Sequence, residues 1–436
     1  MNPKPIHPSE RGQAIVLIVL AMVALLGFTA LALDGGRLYS ERRHAQNAAD
    51  AASLAGGLQK ANKQPDSVVL QAVLASAATN GYSGSQVSGA VGGPFSDLFG
   101  KYYLVTTTIT STLETTFAHF VYSGPLQNRV QAVAKVYQSQ PALPGYAIIA
   151  MNPDCGDPNE RLIGIAGGGN NAGVETFQGG MFLNAPNSSN KCPLYPPSSS
   201  DPDVLIRAND GYPIASVGTK DYSGETKISP VPIETGVNFG ESIADPLTEL
   251  PEPQCTSSGS VNKSVTPWVY WPGSFDAKDI GEGFYQPGIY CISGTVKLSG
   301  SEVLEGDGVV FYFMNGGLQN TGNGGMRLTA PNSTNCLGTA GSPSASCTYN
   351  GIAIFVARNN SSTIDVRGNG GDAVVGLIYG LNATIQAKGG GSDPDETQVV
   401  GQVIAKTVLN TGNGTLKVTY NENATFWKSP SLSLNK

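Results

Sequence analysis

AIVLIVLAMVALLGFTALAL, Ala14–Leu33, is an uninterrupted apolar run of 20 residues in a chain of 436. As a helix rising about 1.5 Å per residue it reaches roughly 30 Å, the thickness of a bilayer's hydrocarbon core. No water satisfies backbone amides there, so the run is predicted to be a helix that anchors the chain in a lipid bilayer. A cleaved signal peptide is the competing reading, because Ala30-Leu31-Ala32 fits the small-x-small cleavage pattern. Two features favour the anchor. The run is longer than the usual apolar region of a signal peptide, about 7–15 residues. The helical pattern also continues past it through DGGRLYSERRHAQNAADAASLAGG, where Ala45, Ala48, Ala49, Ala52 and Ala55 make a small-residue stripe. Such stripes let helices approach closely, so this one is expected to pack against neighbouring helices.

Basic residues do not decide the orientation. Lys4 and Arg11 precede the run, and Arg37, Arg42 and Arg43 follow it. The cysteines do. Cys155, Cys192, Cys255, Cys291, Cys336 and Cys347 all lie downstream, and an even count on one side of a span reads as disulfides in an oxidising compartment. The N-terminus is then cytoplasmic and the bulk extracytoplasmic, at the cell surface. Buried free thiols are the bland alternative. Six cysteines allow 15 pairings, and pairing in sequence order, which closes local loops, is preferred. Zinc is disfavoured, since no CxxC occurs and no histidine follows His119.

The stretch from Arg11 to Gly57 resembles the N-terminal segment of TadE/TadG-like proteins of the Tad (Flp) pilus-assembly system. RGQA precedes the apolar run. After it, Asp34, Gly36, Arg37, Tyr39, Arg42, Arg43, Gln46, Asn47, Ala48, Ala49, Asp50, Ala51 and Ala52 follow the family's polar and alanine pattern. The resemblance implies a bacterial, envelope-anchored, pilin-like component whose partners are pilin-like or secretion-system components met through the N-terminal helix. Leu17 stands at the fifth position after Gly12, where type IV pilins carry glutamate, and the D-x-S-x-S signature of a von Willebrand A metal site is absent.

Beyond the anchor, SVVLQAVLASAAT is helical in pattern and ends at Asn80-Gly81, and YYLVTTTITST and RVQAVAKVY alternate as half-buried strands. Together they read as a small α+β domain near the membrane. Past Gly145, short β runs alternate with Gly/Asn punctuation: TGNGG at Thr321, RGNGG at Arg367 and TGNGT at Thr411, with starts 46 and 44 residues apart. LNAPNSSNKC (from Leu183) and LTAPNSTNC (from Leu328) form a second repeat. Short strands with regularly spaced polar turns are the mark of a β-solenoid; an antiparallel sandwich is the rival. The fold class expected is therefore mainly β with an N-terminal transmembrane helix, the small α+β domain being followed by a right-handed parallel β-helix. The predicted divisions are 1–60 (anchor and extended pilin-like helix), 61–140 (α+β), 141–427 (solenoid, with a Pro- and Ser-rich irregular insertion at 193–285) and 428–436 (tail). ANDGYPIASVG and DPLTELPEP within the insertion resemble C-terminal regions of some TadG-like proteins.

A net charge of −7 and a pI near 5 argue against nucleic acid. Solenoids host polysaccharide-cleaving enzymes, which need clustered acids or a base-plus-cation set. The best candidates are Asp365, Arg367 and Asp372, expected instead to form a solvated ion pair across turns of the solenoid. Asp393, Asp395 and Glu396 read as a polar turn before they read as a calcium site. Glycine-rich Gly164–Asn171 lacks a phosphate-loop pattern. No catalytic, cofactor or metal residue is expected, and the chain is not expected to be an enzyme. The leading expectation is a structural or assembly component of a pilus with a surface-presented β domain, with room for a surface ligand. The runner-up is a membrane-tethered carbohydrate-active enzyme or glycan-binding module. Acids and aromatic platforms sharing one groove would favour it, and Trp268, Tyr270 and Trp271 lie close together in sequence.

Overall fold

The computed structural model describes residues 13–116, 124–152, 162–165, 172–185, 194–195, 205–217, 227–234, 242–334, 348–366, 373–387, 397–412 and 414–435. The chain is mainly β with one long N-terminal helix, and it divides into two compact units: 1–96 with 101–139 and 429–436, and 97–100 with 140–428.

In the first unit, helix α1 (Gln13–Ala61) is continuous for 49 residues. It is long and apolar enough at its start to cross a membrane, and none of that part is buried in the protein: Leu26 is 70 % exposed and Phe28 71 %. From Asp34 onward one side of the same helix is buried. Helix α2 (Asp66–Thr79), where the sequence pattern places it, buries Val69, Val73 and Ala77. Strands β1 (Val87–Asp97), β2 (Gly100–Leu113) and β3 (Leu126–Tyr137) form a sheet, β2 and β3 antiparallel over their whole lengths. Alternation along β3 puts Val130, Ala132, Ala134 and Val136 on the helices. The sequence showed β2 and β3 but not β1, whose Gly89, Gly92, Gly93 and Pro94 interrupt its alternation. The segment expected as a tail supplies the fourth strand, Ser431–Leu434, antiparallel to β3.

The second unit is built on three parallel ladders. The first runs through Gly283–Tyr285, Val303–Asp307 and Gly325–Thr329, then through the starts of two long strands, Ala373–Ala387 and Thr397–Asn410. The second joins Gly288–Ser293, Val309–Asn315 and Ile352–Val356 to the middles of those strands. The third joins Val296–Leu298, Leu318–Asn320 and Thr363–Asp365 to their ends. The stack does not follow chain order. Thr397–Asn410 and Thr415–Tyr420 pair in parallel with Tyr146–Ala150, Ile163–Ile165 and Gly173–Phe177, so the first strands of the unit continue the ladders begun by the last. The arriving and departing segments, Gln140–Pro141 and Trp427–Lys428, pair antiparallel with each other.

Part of 193–285 corrects the expectation of an irregular insertion. Leu205–Ala208 and Ile214–Ser216 extend the ladders from Gly173–Phe177 and Gly180–Leu183, and Trp268–Trp271 and Gly273–Asp276 begin them at the other end. Their strands are only three or four residues long, too short for periodicity to show among prolines and glycines. The space between the ladders is filled by side chains, with a ring stack at one end: Tyr270 on Tyr285 (4.3 Å, 6°) and Tyr285 against Phe311 (4.9 Å).

The repeated punctuation marks a repeated corner. Asn320, 2 % exposed, donates from Nδ2 to the Gly324 carbonyl and accepts from the Gly322 N–H. Asn410, 1 % exposed, makes the same two bonds to Gly414 and Gly412. Thr321 and Thr411 each bond back to the preceding turn of chain, at the carbonyls of Leu298 and Ala387. Asparagine carries both a donor and an acceptor on one short side chain, which suits it to closing a buried turn.

Candidate functional site: the docked half of the N-terminal helix

The polar motif after the apolar run sorts onto two sides of α1. On the inner side Asp34, 2 % exposed, accepts from the Thr116 N–H at 3.1 Å. Arg37 donates to Thr116 Oγ1 and lies 4.0 Å from the Asp34 carboxylate. Farther along, the Leu38 carbonyl accepts from Asn128 Nδ2 and Ser53 Oγ donates to the Ala132 carbonyl. Gln46 Nε2 reaches both Asp50 and the Gln131 carbonyl, and Gln138 Nε2 donates to the Lys60 carbonyl. These bonds fix α1 along β3 from Leu38 to Lys60. Tyr82 donates to Glu41 at 2.9 Å; burial, and then the neighbouring carboxylate, push its phenol well above the usual range.

The alanine stripe belongs to this same interface. Ala45, Ala48, Ala49 and Ala52 are at most 1 % exposed and Ala55 is half-buried, and the cluster they join includes Val69, Val73, Val105 and Ala134 of the same chain. This corrects the expectation that the stripe meets other helices: the chain's own sheet and second helix occupy it. Glycines show how close that packing is. A Cβ on Gly56 would lie 2.5 Å from Val73 Cγ2, and one on Gly57 2.5 Å from Leu432 Cδ1. At Gly35 and Gly36 a Cβ would meet nothing within 4 Å.

The opposite side of the helix is exposed. Thr29, Gly36, Ser40, Arg43 and Asn47 succeed one another at helical spacing, and all five are exposed.

Other residues singled out from the sequence fall elsewhere. Cys255 and Cys291 form a disulfide, a pair consecutive in sequence order, and no described cysteine is free. Cys155, Cys192, Cys336 and Cys347 lie outside the described residues, as do residues 166–171 of the glycine-rich stretch and Arg367, Asp372, Asp393, Asp395 and Glu396. Asp365 is 1 % exposed and accepts from the Asn320 N–H at 3.1 Å, so its expected solvation is corrected. Of the three aromatic residues at 268–271, Tyr270 is buried in the ring stack, Trp268 is half-buried and Trp271 is 43 % exposed.

A second cluster had no signal in the sequence beyond the DPLTELPEP resemblance. Arg358 Nε donates to Asp245 Oδ2 at 2.9 Å, its Nη2 to the carbonyls of Leu247 and Leu250, and its backbone N–H to Glu252 Oε1. Tyr379 and Tyr312 donate to the same two carboxylates. Residues 243–255 thereby cover the outer face of the second ladder, with Leu247 and Leu250 packed among Tyr312, Phe355 and Tyr379 and Cys255 tied to Cys291. The second-ladder strand IAIFV is buried at every residue because both its faces are covered.

Residues 12–61 match the model of the Tad family, described as "Putative Flp pilus-assembly TadE/G-like". The match covers α1 almost end to end, both the exposed apolar part and the docked part. No curated protein and no solved structure matches the chain.

Proposed function

We propose that this chain is a membrane-anchored, extracytoplasmic structural or assembly component of a Tad (Flp) type pilus or a related cell-envelope structure. The N-terminus is cytoplasmic and the apolar start of α1 spans the membrane. The three ladders are three faces of a right-handed parallel β-helix, a rigid surface-presented scaffold that carries no reaction. The observation that supports this reading is the division of α1. Its inner side from Asp34 onward is used up within the chain, while on its outer side Thr29, Gly36, Ser40, Arg43 and Asn47 are exposed among the described residues.

A helical glycine costs about 1 kcal/mol relative to alanine, and among the described residues nothing would crowd a Cβ at Gly36. A neighbouring helix of a pilin-like partner would supply the reason for its small size. The test is Gly36→Leu with Ser40→Leu, compared with wild type at matched protein level and matched thermal unfolding. Surface pilus yield, and crosslinking of a cysteine at Asn47 to partner helices, are expected to fall at least several-fold. Normal yield and normal crosslinking would remove the outer side as the assembly surface.

A further inference from the structure

An open groove of about 510 Å³ lies on the outer face of the first ladder, lined by Phe284, Gln286, Glu305, Asp307, Arg327 and Thr329 among others. Its composition follows from register. Phe284 pairs with Glu305 and Glu305 with Arg327, which makes one outward row; Asp307 pairs with Thr329 in the next. Gln286 extends the second row, and its N–H bonds the Tyr270 carbonyl, next to Trp271. Two rings thus face outward at one end, Phe284 40 % and Trp271 43 % exposed, and planar polar side chains occupy the turns of chain beyond them. These two exposed rings adjoin carboxylate, amide and guanidinium groups on one face.

From this arrangement we infer that the groove binds a neutral oligosaccharide. The rings present flat apolar faces to the C–H side of a pyranose, and Glu305, Asp307, Gln286 and Arg327 offer acceptors and donors in the fixed planes that vicinal hydroxyls match. Parallel strands repeat every 4.7–4.9 Å or so, close to the length of one pyranose ring, so successive sugars meet equivalent positions on successive strands. Among the described residues two carboxylates stand against one guanidinium, a balance that disfavours uronate chains and admits neutral sugars. The ring stack of Tyr270, Tyr285 and Phe311 beneath it holds the floor in place before a ligand arrives. No reaction is assigned, and the inference stands independently of the pilus reading.

The experiment is calorimetric titration of the full chain in detergent micelles with chitohexaose, cellohexaose and a galacturonate hexamer. The acetylated sugar stands for chains of cell-wall type and the plain glucan for matrix type. Binding of either neutral sugar is expected, with none of the galacturonate. Phe284→Ala, Trp271→Ala and the double change Glu305→Gln with Asp307→Asn should each weaken it at least tenfold. All three sets lie at the surface, and unchanged thermal unfolding confirms that each variant folds. No binding of either neutral sugar, preference for the galacturonate, or binding indifferent to all three sets overturns the inference. An extended peptide binding in place of the sugars overturns it as well.

Discussion

Arg358 and Asp245, 113 residues apart in sequence, meet in an ion pair of 2.9 Å whose two side chains are 25 % and 11 % exposed. Asp245 also accepts from Tyr379 at 2.7 Å, and Arg358 lies over the rings of Tyr379 and Phe355. One side chain therefore holds a covering segment by charge, by carbonyl bonds and by ring contact.

Truncating Arg358 to alanine removes one donor each from Asp245 and the carbonyls of Leu247 and Leu250, although Asp245 keeps Tyr379 and the Leu247 N–H, and the Leu247 carbonyl keeps the Leu250 N–H. Hydrogen bonds to charged groups contribute about 1.5–3 kcal/mol each in net stability, and solvent replaces part of that at a half-buried site. A loss of about 2–3 kcal/mol in denaturant unfolding is expected. Hydrogen exchange should show the loss concentrated at residues 243–255.

The disulfide ties the same segment to the second ladder, with Cys255 and Cys291 36 residues apart. In the loop-entropy account a closure of that length contributes about 3–4 kcal/mol. Cys255→Ser with Cys291→Ser should lower unfolding stability by an amount in that range, and non-reducing peptide mapping should find the two cysteines joined. Recovery of both as free thiols from native protein would contradict the bridge.

The buried stripe makes a prediction opposite to the one its sequence invites. Ala49→Leu places three extra carbons where the side chain is 0 % exposed, and overpacking of this kind costs about 1–3 kcal/mol. The first unit should lose stability, seen as a lower melting temperature. Gly36→Leu should leave melting no lower, because leucine replaces a helical glycine that costs about 1 kcal/mol.

How much of this could be read in advance depended on the length of each signal. The 20-residue apolar run, helix α2 and the alternation of β2 and β3 are long enough for periodicity to show them. The Gly-Asn-Gly marks located two corners, at Asn320 and Asn410, because each needs the same donor and acceptor in the same place. The alanine stripe was visible but its partner was not. Small residues report close approach without saying what approaches, and here the partners are α2, the next helix, and β3, whose Ala132 lies 79 residues on from Ser53. Arg358 was invisible for the same reason: nothing local marks an arginine whose carboxylate is 113 residues away. The groove arises only from register between turns of chain, which places Phe284, Glu305 and Arg327 in one row.

Each repeated corner is open to a direct test. Asn320→Ala and Asn410→Ala strand buried backbone groups that the amide satisfied, at about 1–3 kcal/mol each. Because the two sites are distant in sequence and share no hydrogen-bond partner, the double variant should show close to the sum.

Alkaline pH should unfold the second unit. Burial pushes the phenols of Tyr285, Tyr290 and Tyr379 well above their ordinary value of 10.0 and that of Tyr420 up to about 12. A raised folded-state value gives stability that is complete below pH 10 and is lost as pH rises from there through the folded value. Each such tyrosine adds about 1.4 kcal/mol of loss per pH unit in that window. Stability measured by denaturant should be flat from neutrality to pH 10 and then fall, with phenolate absorbance from these residues appearing only on unfolding. Early ionisation without unfolding would show that they are not shielded.

Gln140–Pro141 and Trp427–Lys428 run side by side, and the strand that completes the first sheet, Ser431–Leu434, is made only after everything between them. The large β unit is in effect cargo carried in a slot whose two lips already touch. A shorter or unrelated domain with neighbouring ends could take its place in the sequence between them, with β3 still paired by Ser431–Leu434. The same arrangement sets the order of completion. A chain made from its N-terminus cannot complete the first unit's sheet until Ser431–Leu434 is made, and products truncated before it are left with β3 as an open edge.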